Sequence, residues 1–188
     1  MSSFYTEEEL KEIGLKSYGK NVLISRNAKF YGTSNIVIGN NVRIDDFCII
    51  SGKIIIDDYV HISAGVYLFG GEFGIYFKNY SGISSRSAVY AVNDDYSGNF
   101  MTNPTVPEEY TNVTGGPVIF NEHVLVGSGC TVLPNVTLGE GCAVGSMSLV
   151  NKSLDEYTIN FGIPAKPVKE RKKNMVILSK TLLNKSLD

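Results

Sequence analysis

"IGNNVRIDDFCIISGKIIIDDYVHISAGVYLF", residues 38–69, repeats itself every six residues. Ile38, Ile44, Ile50, Ile56, Ile62 and Leu68 are large and aliphatic, and four residues on from the first five stand Val42, Cys48, Ile54, Val60 and Val66. An amphipathic α-helix returns its apolar residues every 3.6 positions, so this period excludes one. Positions i and i+4 are an even number apart, as strand residues on one face must be. Short strands with a corner at every sixth residue close a triangular coil of about 18 residues, a parallel β-helix.

The pattern extends outward with two changes of phase. Four residues after Leu68 stands Glu72, in "GGEFG", where an apolar residue is expected. Either the register slips at these glycines, which is the favoured reading, or Glu72 is pushed toward a site and touches substrate. A short register follows through Phe77, Ile83 and Val89, with Ser81 and Ser87 at i+4. A long one runs through Phe120, Val126, Val132, Leu138, Val144 and Val150, with Val124, Cys130, Val136, Cys142, Ser148 and Leu154 at i+4. Chance alternation in a β-sandwich does not hold phase so long. Six or so coils stacked ~4.8 Å apart predict a prism roughly 30 Å long.

All three cysteines, Cys48, Cys130 and Cys142, occupy i+4 positions, where a small buried side chain is wanted. Their odd number and spacing suit neither a disulfide framework nor a metal site, so a reduced, cytoplasmic protein is expected. The 188 residues are read as a single domain, 1–188. A net charge of −2 gives no broad basic face for nucleic acid. No apolar run approaches membrane-spanning length, and "MSSFYTEEELKEIG" is too acidic for a signal peptide. Thr6 and Glu9 fit a capping box, predicting a helix over 6–14. Ile24, Ala28 and Phe30 suggest an irregular first coil. Residues 170–188 predict a lysine-rich helical tail with Met175, Leu178 and Leu182 on one face. Residues 90–117, "YAVNDDYSGNFMTNPTVPEEYTNVTGGP", leave the pattern altogether, and unpatterned loops of this length are commonly functional.

The hexapeptides, the interrupting loop and the closing "FGIPAKPVKER" resemble the left-handed β-helix acyl-CoA-dependent acyltransferases over roughly residues 20–170. The segment "SGISSRSAVYAVNDDYSGNFMTNPTVP" resembles the branch acting on nucleotide-linked amino sugars, as in anthrose biosynthesis. That resemblance implies left-handed coils, acyl-coenzyme A as co-substrate without a metal, and a dTDP-linked 4-amino-4,6-dideoxyglucose as acceptor. It also implies a homotrimer with active sites in clefts between subunits.

O-acetylating relatives carry a catalytic histidine in the interrupting loop, because an alcohol must be deprotonated to attack a thioester. This loop has none. The chain's two histidines, His61 and His123, lie in regular hexapeptides and are expected to be solvated or packed. A sugar amine is partly neutral at pH 7 and needs placing more than deprotonating. Asp94 is the first candidate to orient it, with Ser84 as a second catalytic contact and Asp95 and Tyr96 as substrate-binding neighbours. The plain alternative for Asn93-Asp94-Asp95 is a turn. Ser128, Gly145, Ser146 and Gly162 offer backbone groups to pantetheine, and Lys152, Lys166 and Arg171 offer charge to the phosphates. His123→Ala is expected to change activity little. The remaining alternatives are a sugar O-acetyltransferase using His61 or His123, and a non-catalytic β-helix scaffold. A zinc hydratase on the same fold needs three histidine ligands, which two histidines per chain do not supply. The acyl group is not legible in the sequence.

Overall fold

The computed structural model describes residues 3–185. Three parallel sheets form the three faces of a coiled prism. Face I stacks Ser17–Tyr18, Ile36–Ile38, Ile54–Ile56, Ile75–Phe77, Val118–Phe120 and Thr137–Leu138. Face II stacks Leu23–Ile24, Arg43–Ile44, His61–Ile62, Gly82–Ile83, Leu125–Val126, Ala143–Val144 and Thr158–Gly162, and Ala165–Glu170 then returns antiparallel along its edge. Face III stacks Lys29–Tyr31, Ile49–Ser51, Tyr67–Phe69, Ala88–Tyr90, Thr131–Val132 and Leu149–Val150.

The hexapeptide residues fill the inside. Ile38, Ile44, Ile50, Ile56, Ile62 and Leu68 are at most 2% exposed. So are Phe77, Ile83, Val89, Phe120, Val126, Val132, Leu138 and Val150. Phe77 stacks on Phe120 at 4.2 Å between ring centroids. Cys48, Cys130 and Cys142 are free and buried, and burial pushes the Cys48 and Cys142 thiols up to about 11. They pack as small hydrophobes.

The pairing shows where the phase changes. Ile38 pairs with Ile56, a step of 18 residues, but Ile54 pairs with Ile75, a step of 21. The three additional residues lie in the turn around "GGEFG", where Glu72 is exposed, so the register does slip there. Ile75 then pairs with Val118, a step of 43 that contains the whole interrupting loop. This loop leaves from Tyr90, is pinched at its base by antiparallel pairing of Val92 with Gly115 and Asn93 with Thr114, and carries a short 3-10 turn at Glu108–Tyr110.

The ends are closed by different devices. Helix α1 (Glu7–Glu12) is held by the reciprocal capping box of Thr6 and Glu9, and it buries Leu10 against the first coil. Glu9 also grips Arg26 through two bonds of 2.5 and 2.6 Å. At the other end, the tail is a strand as far as Glu170 before helix α2 (Asn174–Lys185) begins, so it is not helical throughout 170–185. Leu178 and Leu182 are exposed; Met175, Val176 and Ser179 form the docked face instead, because Ser179 reaches the His123 ring. The last residues of the expected tail, 186–188, lie outside the described region.

Candidate active site

Face II holds the candidate site, because several of its outward positions are polar. Ile62 pairs with Ile83 and Ile83 with Val126, so the next residue along each strand forms an outward row: Ser63, Ser84, Gly127. The neighbouring row, two residues earlier on each strand, runs Arg43, His61, Gly82, Leu125. The coil corner beside these rows turns through left-handed backbone at Tyr59, Tyr80 and His123, with φ near 60°. Their rings stack, Tyr59 on Tyr80 at 5.1 Å and Tyr80 on His123 at 5.0 Å. Rings and rows together enclose a groove of about 320 Å³, lined among others by His61, Ser63, Gly82, Ser84 and Leu125.

His61 is half exposed in this groove, and its Nε2 sits 2.7 Å from Asp45 Oδ2. Arg43 Nε donates to the other Asp45 oxygen at 2.7 Å. Partial burial pushes the Asp45 carboxyl up, but the bonds from Arg43 and His61 outweigh it and leave the group below its ordinary value. Asp45 therefore stays a carboxylate at neutral pH and can only accept. His123 is 7% exposed, roofed by α2, and its Nε2 lies 3.2 Å from Ser179 Oγ. It is a packed side chain.

The loop separates its two adjacent acids. Asp95 accepts from the Ser97 amide and, at 2.9 Å, from the Ser97 hydroxyl, and these bonds hold its carboxyl below the ordinary range. Asp95 closes a turn. Asp94 is exposed and lines a cavity of about 270 Å³ with Asn103, Val106, Glu108 and Thr111. Tyr96 is 91% exposed beside it. Glu72 stands on the turn beneath the base of the loop, where Gly71 approaches Val92. Ser84 and Asp94 line two cavities with no residue in common, so one chain does not bring them together.

The expected coenzyme contacts divide likewise. Lys152, Lys166, Ser146 and Gly162 are exposed toward the C-terminal coils. The Gly162 amide, however, donates to Ser148 Oγ at 3.0 Å. The Ser128 carbonyl accepts the Met147 amide. Gly145 is occupied within the coil: its amide donates to the Asn160 carbonyl, its carbonyl accepts Ser148 Oγ at 2.8 Å, and the Phe161 ring lies over its Cα. Nothing on its backbone is left for pantetheine. Arg171 has a structural task. Its Nη1 donates to the carbonyls of His123, Gly141 and Cys142 at 2.9–3.3 Å, and burial pushes its pKa down. Through Nη1 it staples the C-terminal strand to a coil corner.

Sequence reasoning missed Tyr59, Tyr80, Asp45, Ser63 and Gly82. A signal for the rings was present: Tyr59, Tyr80 and His123 each precede a buried i+4 residue, Val60, Ser81 and Val124, which marks one corner of successive coils.

Comparison with known proteins matches this geometry to an enzyme group. The model of the bacterial transferase hexapeptide (six repeats) matches residues 35–70. The chain is 49% identical over 180 residues, 94% of its length and 93% of the relative's, to a dTDP-4-amino-4,6-dideoxy-D-glucose acyltransferase of Escherichia coli. AntD, an N-acyltransferase from Bacillus cereus solved with dTDP and 3-hydroxybutyryl-CoA, superposes with TM-score 0.97 over 100% of both chains at 50% identity. Its S84C variant, solved with dTDP-4-amino-4,6-dideoxyglucose and coenzyme A, gives TM-score 0.95 at 51% identity over 98% of this chain and 99% of that one.

Proposed function

This chain belongs to the hexapeptide-repeat acyltransferases that include dTDP-4-amino-4,6-dideoxy-D-glucose acyltransferase, and from that premise we propose that it acylates the amine of a dTDP-linked 4-amino-4,6-dideoxyglucose with an acyl group drawn from coenzyme A. The observation that carries the reading is the interrupting loop: it holds no histidine, ties Asp95 into a turn and leaves Asp94 exposed.

Asp94 accepts a hydrogen bond from the incoming amine or ammonium and fixes its approach, while the Ser84 hydroxyl supplies a second polar contact. The neutral amine nitrogen attacks the thioester carbonyl carbon; the C–N bond forms and the C–S bond breaks. The thiolate of coenzyme A leaves and takes up the proton that the nitrogen gives away, so amine and thioester become amide and thiol. Placement carries the step, and no histidine base is required.

Ser84 and Asp94 lie apart in one chain, which supports a homotrimer in which Ser84 of one subunit faces Asp94 of a neighbour across a cleft. Lys152 and Lys166, both exposed, are the residues to meet the coenzyme phosphates in this reading, and Ser128 and Ser146, on the coils beyond Ser84, are those to meet pantetheine. Three free, buried thiols suit the reducing cytoplasm as the site of the reaction. The test is product mass after incubation with acyl-CoA and either the 4-amino sugar nucleotide or its 4-hydroxy counterpart. Acylation of the amine alone is expected. Acylation of the hydroxyl would overturn the histidine-free step and point to His61.

A further inference from the structure

The inserted turn at Gly71–Gly74 has no part in the acylation as described, yet it stands directly beneath the interrupting loop. Tyr67 pairs with Ala88 at a step of 21, where Ile49 pairs with Tyr67 at a step of 18. The additional residues fall between Tyr67–Phe69 on face III and Ile75–Phe77 on face I, the same corner at which the next coil lets the loop out. The turn is itself firmly seated. The Gly71 carbonyl accepts from the Lys53 amide at 3.0 Å, and the Gly74 amide donates to the Gly70 carbonyl at 2.8 Å. Gly52, one coil below, packs so closely that a Cβ there would come within 2.6 Å of the Gly71 nitrogen.

Both limbs of the loop rest on this turn. On the outgoing limb, Val92 lies over Gly71, where a Cβ would run into the valine side chain. On the returning limb, Gly115 lies between the Ala91 carbonyl and the Phe73 ring, and a Cβ on it would stand 2.8 Å from ring atoms Cδ2 and Cε2. The Val118 amide then donates to the Gly74 carbonyl at 3.1 Å. Phe73 is half-buried and joins the core below to the returning limb above. We propose that Phe73 is a positioning residue for the transfer: its ring, with the turn that carries it, fixes the loop stem, and the stem fixes where Asp94 meets the amine. This rests on the N-acyltransferase reading above.

The path from ring to carboxylate is short. Phe73 touches Gly115, Gly115 pairs with Val92, and Asn93, paired with Thr114, is joined to Asp94. The cavity that Asp94 lines has Thr111 and Val113 of the returning limb on its wall, so the limb resting on Phe73 shapes it too. A stem of two pairs is too short to hold its own direction in water, so the direction comes from what lies beneath it. Removing the ring opens a void under Gly115, which has no side chain to close it. The stem can then tilt, and a shift of about 1 Å at a reacting group costs up to about a hundredfold in rate.

The experiment is a double-mutant cycle between Phe73→Ala and Asp94→Ala. It reads single-turnover rates by product mass with acyl-CoA and dTDP-4-amino-4,6-dideoxyglucose, alongside melting temperature and coenzyme A affinity. With Asp94 present, Phe73→Ala is expected to slow transfer about tenfold, part of the loss from removing Asp94 itself, with coenzyme A affinity unchanged. With Asp94→Ala, the same change is expected to alter the residual rate less than about twofold, because no carboxylate is left to misplace. Phe73→Leu, which keeps much of the bulk, should fall between wild type and Phe73→Ala. A folded Phe73→Ala that transfers at the wild-type rate overturns the proposal. So does one that loses the same factor in both backgrounds, since that loss belongs to the frame and not to Asp94. If Phe73→Ala fails to fold, Phe73→Leu takes its place in the cycle and is judged by the same two outcomes. A wild type that acylates the amine equally well without Asp94 overturns this inference and leaves the acyl transfer standing. One that acylates no amine overturns the proposed function with it.

Discussion

At the scale of single residues, the loop acids show how similar side chains divide their work. Asp95 spends both oxygens on Ser97, whereas Asp94 keeps its carboxylate outward. Asp94→Ala is therefore expected to lower kcat by about a hundredfold, the scale of a misplaced nucleophile, with acyl-CoA affinity unchanged by calorimetry. Unchanged turnover would remove Asp94 from the mechanism. From sequence alone the two were indistinguishable, since turn chemistry and substrate chemistry both favour aspartate. Asp94 and Ser84 were singled out because the loop and the serine-rich coil before it resemble a family. Arg171 was harder to place, for the opposite reason. A cation in a basic tail looks solvated on paper, and only the fold shows three carbonyls converging on it.

At the scale of elements, the two helices are closures built on few contacts. Arg26 and the Thr6 amide hold the Glu9 carboxyl down to about 2. A depressed carboxyl contributes stability above its unfolded pKa and loses it as pH falls toward the folded one. The N-terminal closure should thus loosen between the ordinary glutamate range and about pH 2. Hydrogen exchange at the Leu10 amide would show this, and Glu9→Gln should abolish the pH step. A step that persists in Glu9→Gln would mean another group holds α1. His123 does the corresponding work for α2, stacking on Tyr80 and meeting Ser179. His123→Ala is expected to cost about 1–2 kcal/mol in thermal or denaturant melts, with turnover per folded molecule retained. The capping box was legible in the sequence as Thr6 and Glu9. The docked face of α2 was not, because several apolar residues compete for it and the partner, His123, is 56 residues away.

At the scale of the whole molecule, the repeat dictates the interior. Inward residues are largely set by spacing, so the coil and most of its core were readable, including the slip at Glu72, whereas buried Ile36, Ile75 and Val118 fell outside the two positions counted and Leu154 is only partly buried. Truncating any one breaks a stack: Ile62→Ala should cost about 2–5 kcal/mol, measured by denaturant midpoint. A cost well below this would mean the coils collapse onto the gap. Relations between faces were not readable. Hydrophobic period says which residues point in, but it says nothing of which outward rows share a groove, and the groove at Gly82 depends on just that.

The pinched base of the loop has one more consequence. A coil that steps 43 residues where its neighbours step 18 or 21 closes little more than twice the ordinary length. Loop-closure cost rises only about 0.6 kcal/mol per doubling, so the detour weighs under about 1 kcal/mol on the fold. The antiparallel pairs Val92–Gly115 and Asn93–Thr114 already have the form of a hairpin stem. Joining Asn93 to Thr114 through an Asn-Gly turn should give a protein that melts within a few degrees of the original and transfers nothing. A large drop in melting temperature would show the loop to be part of the frame. On this geometry the loop is a detachable cartridge on a rail. Selection can exchange it for another of different length, while the coils on either side keep the same groove.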